Sequence, residues 1–544
     1  PIYYDDYIVI QKNMWVHQRA FPIEAFQSFY VDSHSFFSGY RPILIVSYWI
    51  NAQLGSDYVL WLRLGNILLH ALNALLIYFL VLVLAQGSVK RNYWRAFGIS
   101  CLFAVHPSHT VAINMLWKRS SLLVTFWMIL GCLFHLWYNK RPNKKRFVSC
   151  AVHFVVFILA LLTKESAIIY PVLIMLLDHL QFKQPLLKLL KERLVLCSIF
   201  VFTSLIFMWC RLELFAKYSG AGGYFSRTIP SRLEYLSLSA RVVPQYIYDW
   251  IIQNPLVIDD PSAHSLLHQS VLPMIGLLAV TFSLIIKFGR DPLICFGVTL
   301  FWLGLLPTSS FYPLFFAKDS IRTYLPYAGL SMILVSIVGK ISSNRIRKII
   351  YGAMGGFGVV LLMISTMQNW RYGYPTRIWK DVVDVYPEST IAWNELGAAY
   401  VKEKEFDLAL NAYRRSLAIM PSDPAISIKE LQVELRLEGP TQRIRKEVER
   451  LDGNNTGSLD LINLALLELD VGLFMRANRR LLSLVRTHPR YAKVHFLLGI
   501  SFERLDDERN ALGAFQNAVT LDPNFIEAKM KLDKLRKNKS SSKF

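Results

Sequence analysis

Cysteine is scarce and poorly placed for chemistry. Cys101, Cys132, Cys150, Cys197, Cys210 and Cys295 lie in or beside apolar runs, with no CxxC pair and none in the last 249 residues. That pattern suggests neither a zinc site nor a disulfide framework, and leaves the thiols as small apolar packers. Charge is thin as well: 18% of residues are charged against 53% hydrophobic, too apolar a balance for a soluble chain. Acids are the scarcer sign, 39 against 60 Lys and Arg, for a net charge of +21. A nucleic-acid binder gathers such an excess on one face. Here the cations cluster in short loops between apolar runs, the topogenic pattern of membrane proteins, so no nucleic-acid partner is expected. The start carries neither a basic n-region nor an apolar segment, so no signal peptide is visible.

Ten apolar stretches approach the roughly 20 residues needed to span hydrocarbon. They are Tyr58 to Ala85, Ala96 to Leu116, Leu122 to Tyr138, Phe147 to Leu162, Ser166 to Leu180, Leu194 to Phe215, Val271 to Phe288, Pro292 to Pro307, Tyr324 to Val338 and Ile349 to Met367. Alternate connections are basic: Lys90 to Arg95, Lys140 to Arg146, Lys183 to Arg193, Lys287 to Arg290 and Lys340 to Lys348. The positive-inside rule puts these on the cytoplasmic side and everything between them outside, including all residues after Gln368. A further helix ahead of Pro1, entering from the cytoplasm, would complete that scheme. Arg232 to Ile252 carries Arg241, Pro244 and Asp249 and reads as interfacial or re-entrant.

From Ser389 the composition changes. Trp393, Leu396, Gly397, Tyr400, Ala409, Ala412, Tyr413 and Pro421 reproduce the tetratricopeptide (TPR) pattern, and Leu498, Gly499, Phe502, Ala511, Ala514, Phe515 and Pro523 repeat the frame three periods later. Leu464, Ala465, Ala477 and Pro489 mark the repeat before that, and the stretch from Glu430 to Asn455 is degenerate. The expected fold is therefore all-α, a polytopic membrane helical bundle followed by a soluble TPR α-solenoid. The expected divisions are a first outward loop with interfacial helices (1–57), the membrane domain (58–367), a linker (368–388), the repeats (389–537) and a disordered tail (538–544).

Polar residues on the outward loops carry the candidate chemistry. Asp5 and Asp6 are adjacent carboxylates beside a membrane surface, either a solvated turn or a working acid/base pair. Lys164, Arg322, Arg41 and Arg119 are the cations at outer ends of spans, either snorkelling or holding an anion. Glu165 adjoins Lys164 and cannot face it on a helix. His106 and His109 have a spacing that a metal could use, but no third ligand lies near, so no metal is expected.

The order Tyr4-Asp5-Asp6, Tyr40-Arg41-Pro42, His70-Ala71-Leu72-Asn73, His106-Pro107-Ser108-His109-Thr110, Lys164-Glu165 and Arg322-Thr323-Tyr324-Leu325-Pro326, followed by TPRs, resembles the transmembrane and TPR-containing O-mannosyltransferases and their bacterial relatives. The sequence departs from that pattern with Val111 where an acid usually follows the histidines, and with Lys118 in place of a glycine. The resemblance implies a GT-C-like enzyme that moves a sugar, mannose or a similar hexose, from a polyprenyl- or dolichyl-phosphate to Ser/Thr hydroxyls of exported proteins. It implies Asp5 or Asp6 as base; the leaving phosphate of such a reaction needs cations, and the topology offers Lys164 and Arg322 first, then Arg41 and Arg119. Glu165, His106, His109 and Tyr324 would support them, and the TPRs, through Trp393, Tyr400 and Tyr413, would hold the acceptor. No cofactor is implied, and a divalent ion is not indicated. The compartment would be the endoplasmic reticulum membrane in a eukaryote or the inner membrane in a bacterium. Two other readings stay open: a GT-C enzyme acting on a lipid or envelope glycan, and a membrane-anchored TPR scaffold without catalysis.

Overall fold

The computed structural model describes residues 10, 16, 20–26, 40–55, 57–85, 88–141, 145–218, 232–252, 270–309, 318–421, 423–451, 458–487, 489, 491–522 and 525–541. These are helical almost throughout and fall into two compact units, one ending at Pro387 and the other starting at Glu388.

In the first unit α1 is Pro42–Ala52, α2 Tyr58–Leu84, α3 Val89–Val105, α4 Arg119–Asn139, α5 Arg146–Leu161, α6 Tyr170–Phe182, α7 Arg232–Ile252, α8 Pro292–Leu305, α9 Tyr324–Val338 and α10 Asn344–Arg371. Their starts carry the expected signals: Asp57 Oδ1 accepts the Leu60 N–H at the head of α2, and Asp291 does the same for Leu293 ahead of Pro292. Among the described residues five helices are long and apolar enough to cross a membrane, or six if one bent pair counts as a span. That pair is α3 and Pro107–Asn114, bent by 53°. The expected continuous span from Ala96 to Leu116 is thus broken, because Pro107 has no N–H to continue the ladder and holds His106 extended.

The centre of the bundle is α4, buried on nearly every side. Around it pack Ile77 and Val81 of α2, Ile99 and Phe103 of α3, Phe157 of α5, Leu173 and Leu177 of α6, Phe296 of α8 and Met332 of α9. The α8 and α9 helices approach each other closely. A Cβ on Gly297 would lie 2.7 Å from the Gly329 carbonyl oxygen, and one on Gly329 2.3 Å from that of Gly297, so only glycine permits the contact. By contrast Ile349, Val360 and Met363 of α10 are exposed, as lipid-facing apolar residues are.

The residues expected as a linker, 368–388, are instead mostly helical. The α10 helix runs on to Arg371, and Pro375–Val385 is amphipathic and buries Ile378, which packs with Tyr372 against Val111 and Met115. The α7 segment is one unbroken helix that includes Pro244, with Tyr235, Leu238, Val242, Tyr246 and Trp250 along its buried face.

The second unit is built of helix pairs: Thr390–Glu403 with Phe406–Ile419, Pro424–Glu438 with Gln442–Arg450, Ser458–Asp470 with Phe474–Thr487, and Ala492–Arg504 with Glu508–Leu521. A last helix, Ile526–Ser541, extends into the residues expected as a tail. The degenerate stretch corresponds to the second pair. The repeat pattern has a plain steric basis, since a Cβ on Gly397 would lie 2.7 Å from the Tyr413 ring and one on Gly499 2.5 Å from the Phe515 ring.

Candidate functional site

Three of the helices of the first unit that begin with a 3-10 turn contribute residues from their first turns to one recess. Leu116–Lys118 precedes α4, Glu165–Ile169 precedes α6, and Ser320–Thr323 precedes α9. The recess is lined by Ser121 and Thr125 from α4, Lys164, Ser166 and Ile169 from the second turn, Arg322 and Tyr324 from the third, and Gly304 and Thr308 from the end of α8. Helix N-termini carry the positive end of the peptide dipoles, and the end of α8 carries the negative one, so the side-chain cations decide the polarity of the recess. Two cations, Lys164 and Arg322, from positions 158 residues apart in the chain, enter the same recess.

The electrostatics around it are specific. Lys164 Nζ donates to Ser121 Oγ at 2.7 Å. Burial, reinforced by the nearby Arg41 cation, lowers the Lys164 ammonium pKa to about 8. Arg322 donates to the Tyr235 hydroxyl at 3.1 Å, and that hydroxyl donates to the Thr308 carbonyl. Glu165, which cannot face Lys164, instead takes Arg41 at 3.1 Å. Outside the lining, Lys118 Nζ meets Asp319 Oδ1 at 2.9 Å, with side-chain exposures of 1% and 14%. Burial pushes the Asp319 carboxyl up, but Lys118 and Arg322 outweigh it and hold the pKa below its ordinary value. The same oxygen accepts the Ile321 N–H at 3.0 Å and so caps the turn that carries Arg322.

Tyr324 is braced from the far side. His70 Nε2–H donates to the Ala104 carbonyl at 3.0 Å, so its Nδ1 accepts from the Tyr324 hydroxyl at 2.8 Å, and Asn73 donates to that hydroxyl at 3.2 Å. His106 donates to the Trp250 carbonyl at 3.1 Å while its Nδ1 accepts the Ser108 N–H. His109 is 1% exposed, neither of its ring nitrogens has a hydrogen-bond partner, and it is walled by Phe103 and Tyr324 at centroid distances of 4.4 and 4.7 Å. Among the described residues no group of three His, Cys, Asp or Glu could hold a metal ion.

Several sequence candidates sit elsewhere. Asp5 and Asp6 lie outside the described residues. Arg119 does not line the recess: its guanidinium is 1% exposed and donates to Asn66 Oδ1, Asn51 Oδ1 and the carbonyls of Ser47 and Leu62, with the Tyr48 ring 4.9 Å away. Those neutral oxygens use it as a structural tie between α1, α2 and α4. Tyr413, expected on an acceptor surface, is 3% exposed and packs with Ala409, Ile426 and Val433, because it fills the space over Gly397. Trp393 and Tyr400 are half-buried.

Sequence reasoning passed over Asp319, Ser121 and Tyr235, and named Lys118 only as a departure from the family pattern. It also missed a largely buried network in which Arg193 donates to Asp178 Oδ2 at 2.9 Å and His135 Nε2 contacts Asp178 Oδ1 at 2.9 Å. His135 Nδ1 in turn faces His153 Nε2 at 3.1 Å, and the Tyr170 hydroxyl meets His153 Nδ1 at 2.7 Å. The available signal was each ionisable residue inside an apolar run, since such residues come with partners.

Comparisons with known proteins bear on both units. Two tetratricopeptide-repeat family models match residues 390–423 and 462–524. A protein O-mannosyl-transferase of Homo sapiens, TMTC3, is 22% identical over 419 residues, which are 71% of this chain and 45% of the human protein. Over that length the chain is similar to proteins named protein O-mannosyl-transferase. Another such transferase, from Caenorhabditis elegans, is 30% identical over 138 residues, 25% of this chain and 19% of that protein. The match thus spans less than half the length of either curated protein. Among solved structures the TPR protein YrrB aligns with 31% of the chain, covering 86% of YrrB at 15% identity and a TM-score of 0.25.

Proposed function

We propose that the first unit is a membrane glycosyltransferase that moves a sugar, mannose by analogy with its relatives, from a polyprenyl- or dolichyl-phosphate onto Ser/Thr hydroxyls of exported proteins. The observation that carries this reading is the recess where three helix starts meet with Lys164 and Arg322. A site with two fixed cations stabilises a phosphate as negative charge builds on it in the transition state, and it does so without reorganisation at the moment of reaction.

In the proposed step an acceptor hydroxyl oxygen attacks the anomeric carbon. The bond from that carbon to the phosphate oxygen breaks, and Asp5 or Asp6 takes the hydroxyl proton. The lipid phosphate leaves carrying one more negative charge than it had in the donor. Lys164 and Arg322 receive that charge. The Arg41–Glu165 pair fixes the turn ahead of α6, and His70 and Asn73 fix Tyr324 at the wall. The basic loops at the opposite helix ends support an orientation with the recess on the lumenal or periplasmic side. The TPR unit, with Trp393 and Tyr400 on its first helix, would hold an extended acceptor peptide.

The test is sugar transfer from a synthetic polyprenyl-phosphate-mannose by the purified protein in detergent, read by mass spectrometry on Ser/Thr peptides. Asp5→Asn, Asp6→Asn, Lys164→Met and Arg322→Ala are assayed beside the wild type. The enzyme reading predicts transfer by the wild type and rate losses of about 10² or more in the arginine variant and in at least one aspartate variant. Absence of transfer from every donor and acceptor pair would leave an anchored TPR scaffold.

A further inference from the structure

We propose that the first helices of the four repeats carry a row of charges that seats an extended acidic segment of the acceptor, with acids at every third residue and one cation opposite Asp470. The proposal rests on the reading of the repeats as the holder of an extended acceptor peptide. Lys402, Arg436, Asp470 and Arg504 follow one another at intervals of 34 residues, the length of one repeat. Each lies in the last turn of the first helix of its pair, and each is exposed. These four helices lie side by side. Lys429 Nζ of the second donates to Asn394 Oδ1 of the first at 3.0 Å, the second packs on the third, and the third on the fourth. Equal register on neighbouring helices thus turns a sequence period into a row in space.

The two arginines are held alike. Arg436 lies over the Phe406 ring at 5.6 Å, and Arg504, two repeats on, lies over the Phe474 ring at 5.8 Å. Asp470 interacts electrostatically with both, one from each neighbouring repeat. At the start of the row Glu395 interacts with Lys402 and Lys429, two cations to one acid, so that end stays positive. A cation suits the last turn of a helix, where the peptide dipoles end negative, and an acid does not. Lys402, Arg436 and Arg504 therefore follow the helix preference, whereas Asp470 stands against it. Its sign is the part of the row that a ligand can read as a pattern.

The spacing fixes the register. Packed neighbouring helices stand roughly 10 Å apart, and an extended peptide advances about 3.3 Å per residue. Three peptide residues therefore separate one rung from the next, and charge complementarity reads acid, acid, cation, acid. Each exposed pair contributes little alone. Selectivity comes from all four falling into register on one rigid array.

The experiment is equilibrium binding of fluorescent peptides lacking Ser and Thr to the purified full chain in detergent, at physiological ionic strength. The first peptide carries Glu at its first, fourth and tenth positions and Lys at its seventh in a neutral background; it is made in both chain directions, and the tighter is used. A second has the same composition with its charges adjacent, and a third has Glu in place of that Lys. The first should bind about fivefold tighter than the second, whose net charge is the same. Wild type should prefer the first to the third by about two- to fivefold, against the pull of its own net charge of +21, and Asp470→Lys should reverse that order. Arg436→Glu should likewise favour a peptide whose Glu opposite Arg436 is replaced by Lys. Equal binding of the first and second peptides, or an unchanged order in both variants, overturns the proposal; if one variant does not fold, the other decides. If no peptide binds, the reading of the repeats as a peptide holder fails with it.

Discussion

Lys118 Nζ and Asp319 Oδ1, 201 residues apart in the chain, stand 2.9 Å from each other with little access to solvent. Each is expensive to bury alone. Replacing Lys118 by Ala should destabilise the protein by about 3–5 kcal/mol, because the carboxylate is left uncompensated. Replacing both residues by apolar ones of similar volume should recover much of that loss. Thermal unfolding of the single and double variants in one detergent measures the difference.

Donor binding should depend on pH through Lys164. Its ammonium loses a proton near pH 8 in the free protein, and a bound phosphate favours the charged form. Affinity for a phosphodiester donor analogue, whose single charge does not titrate, should therefore be flat below about pH 7 and fall as pH rises through 8, by at most about tenfold per unit. Lys164→Met should remove that slope. A wild-type curve that stays flat to pH 9 would place the phosphate elsewhere.

Arg119→Lys should cost stability and leave lipid-phosphate affinity nearly unchanged. The guanidinium spreads its donors over Asn66, Asn51, Ser47 and Leu62, and an ammonium cannot reach all of them. A loss of about 2–4 kcal/mol follows from unmade buried hydrogen bonds. Melting and lipid-binding curves on the same preparation separate the two effects.

Asp178→Ala removes the acceptor that Arg193 and His135 share inside the bundle. The expected loss is about 1–3 kcal/mol, for a half-buried Arg193 and a buried His135 left without their acceptor. Loosening should concentrate in α4, α5 and α6, which hydrogen-exchange mass spectrometry resolves.

Gly397→Ala places a Cβ 2.7 Å from the Tyr413 ring. Overpacking of this kind costs about 1–3 kcal/mol, and Tyr413→Leu in the same chain should relieve it. Exchange should rise in peptides covering Thr390–Glu403 and Phe406–Ile419 while lipid-phosphate binding holds. Unaltered exchange would show that the ring can turn aside.

The repeats were legible because one helix pair carries its own steric code. Gly397 under Tyr413 and Gly499 under Phe515 are the same contact made twice, and short-range periodicity exposes it. The expectation for Tyr413 itself failed for a related reason: the motif names the residue types but not which face each occupies. The break at His106–Pro107 was written in the sequence as a proline after an extended residue, yet length and hydropathy alone read through it.

The sequence by itself determined that the chain is helical, that apolar runs of bilayer length precede a TPR array, and that Lys164 and Arg322 are cations at span ends, because propensity, hydropathy and repeat spacing are local properties. Only the tertiary structure decided that those two cations share a recess while Arg119 is tied up by neutral oxygens, that Glu165 serves Arg41, and that Lys118 finds Asp319. Those outcomes depend on which helix ends meet. That is fixed by close packing between segments far apart in the chain, such as Gly297 against Gly329, and no local pattern encodes the distance across such a contact.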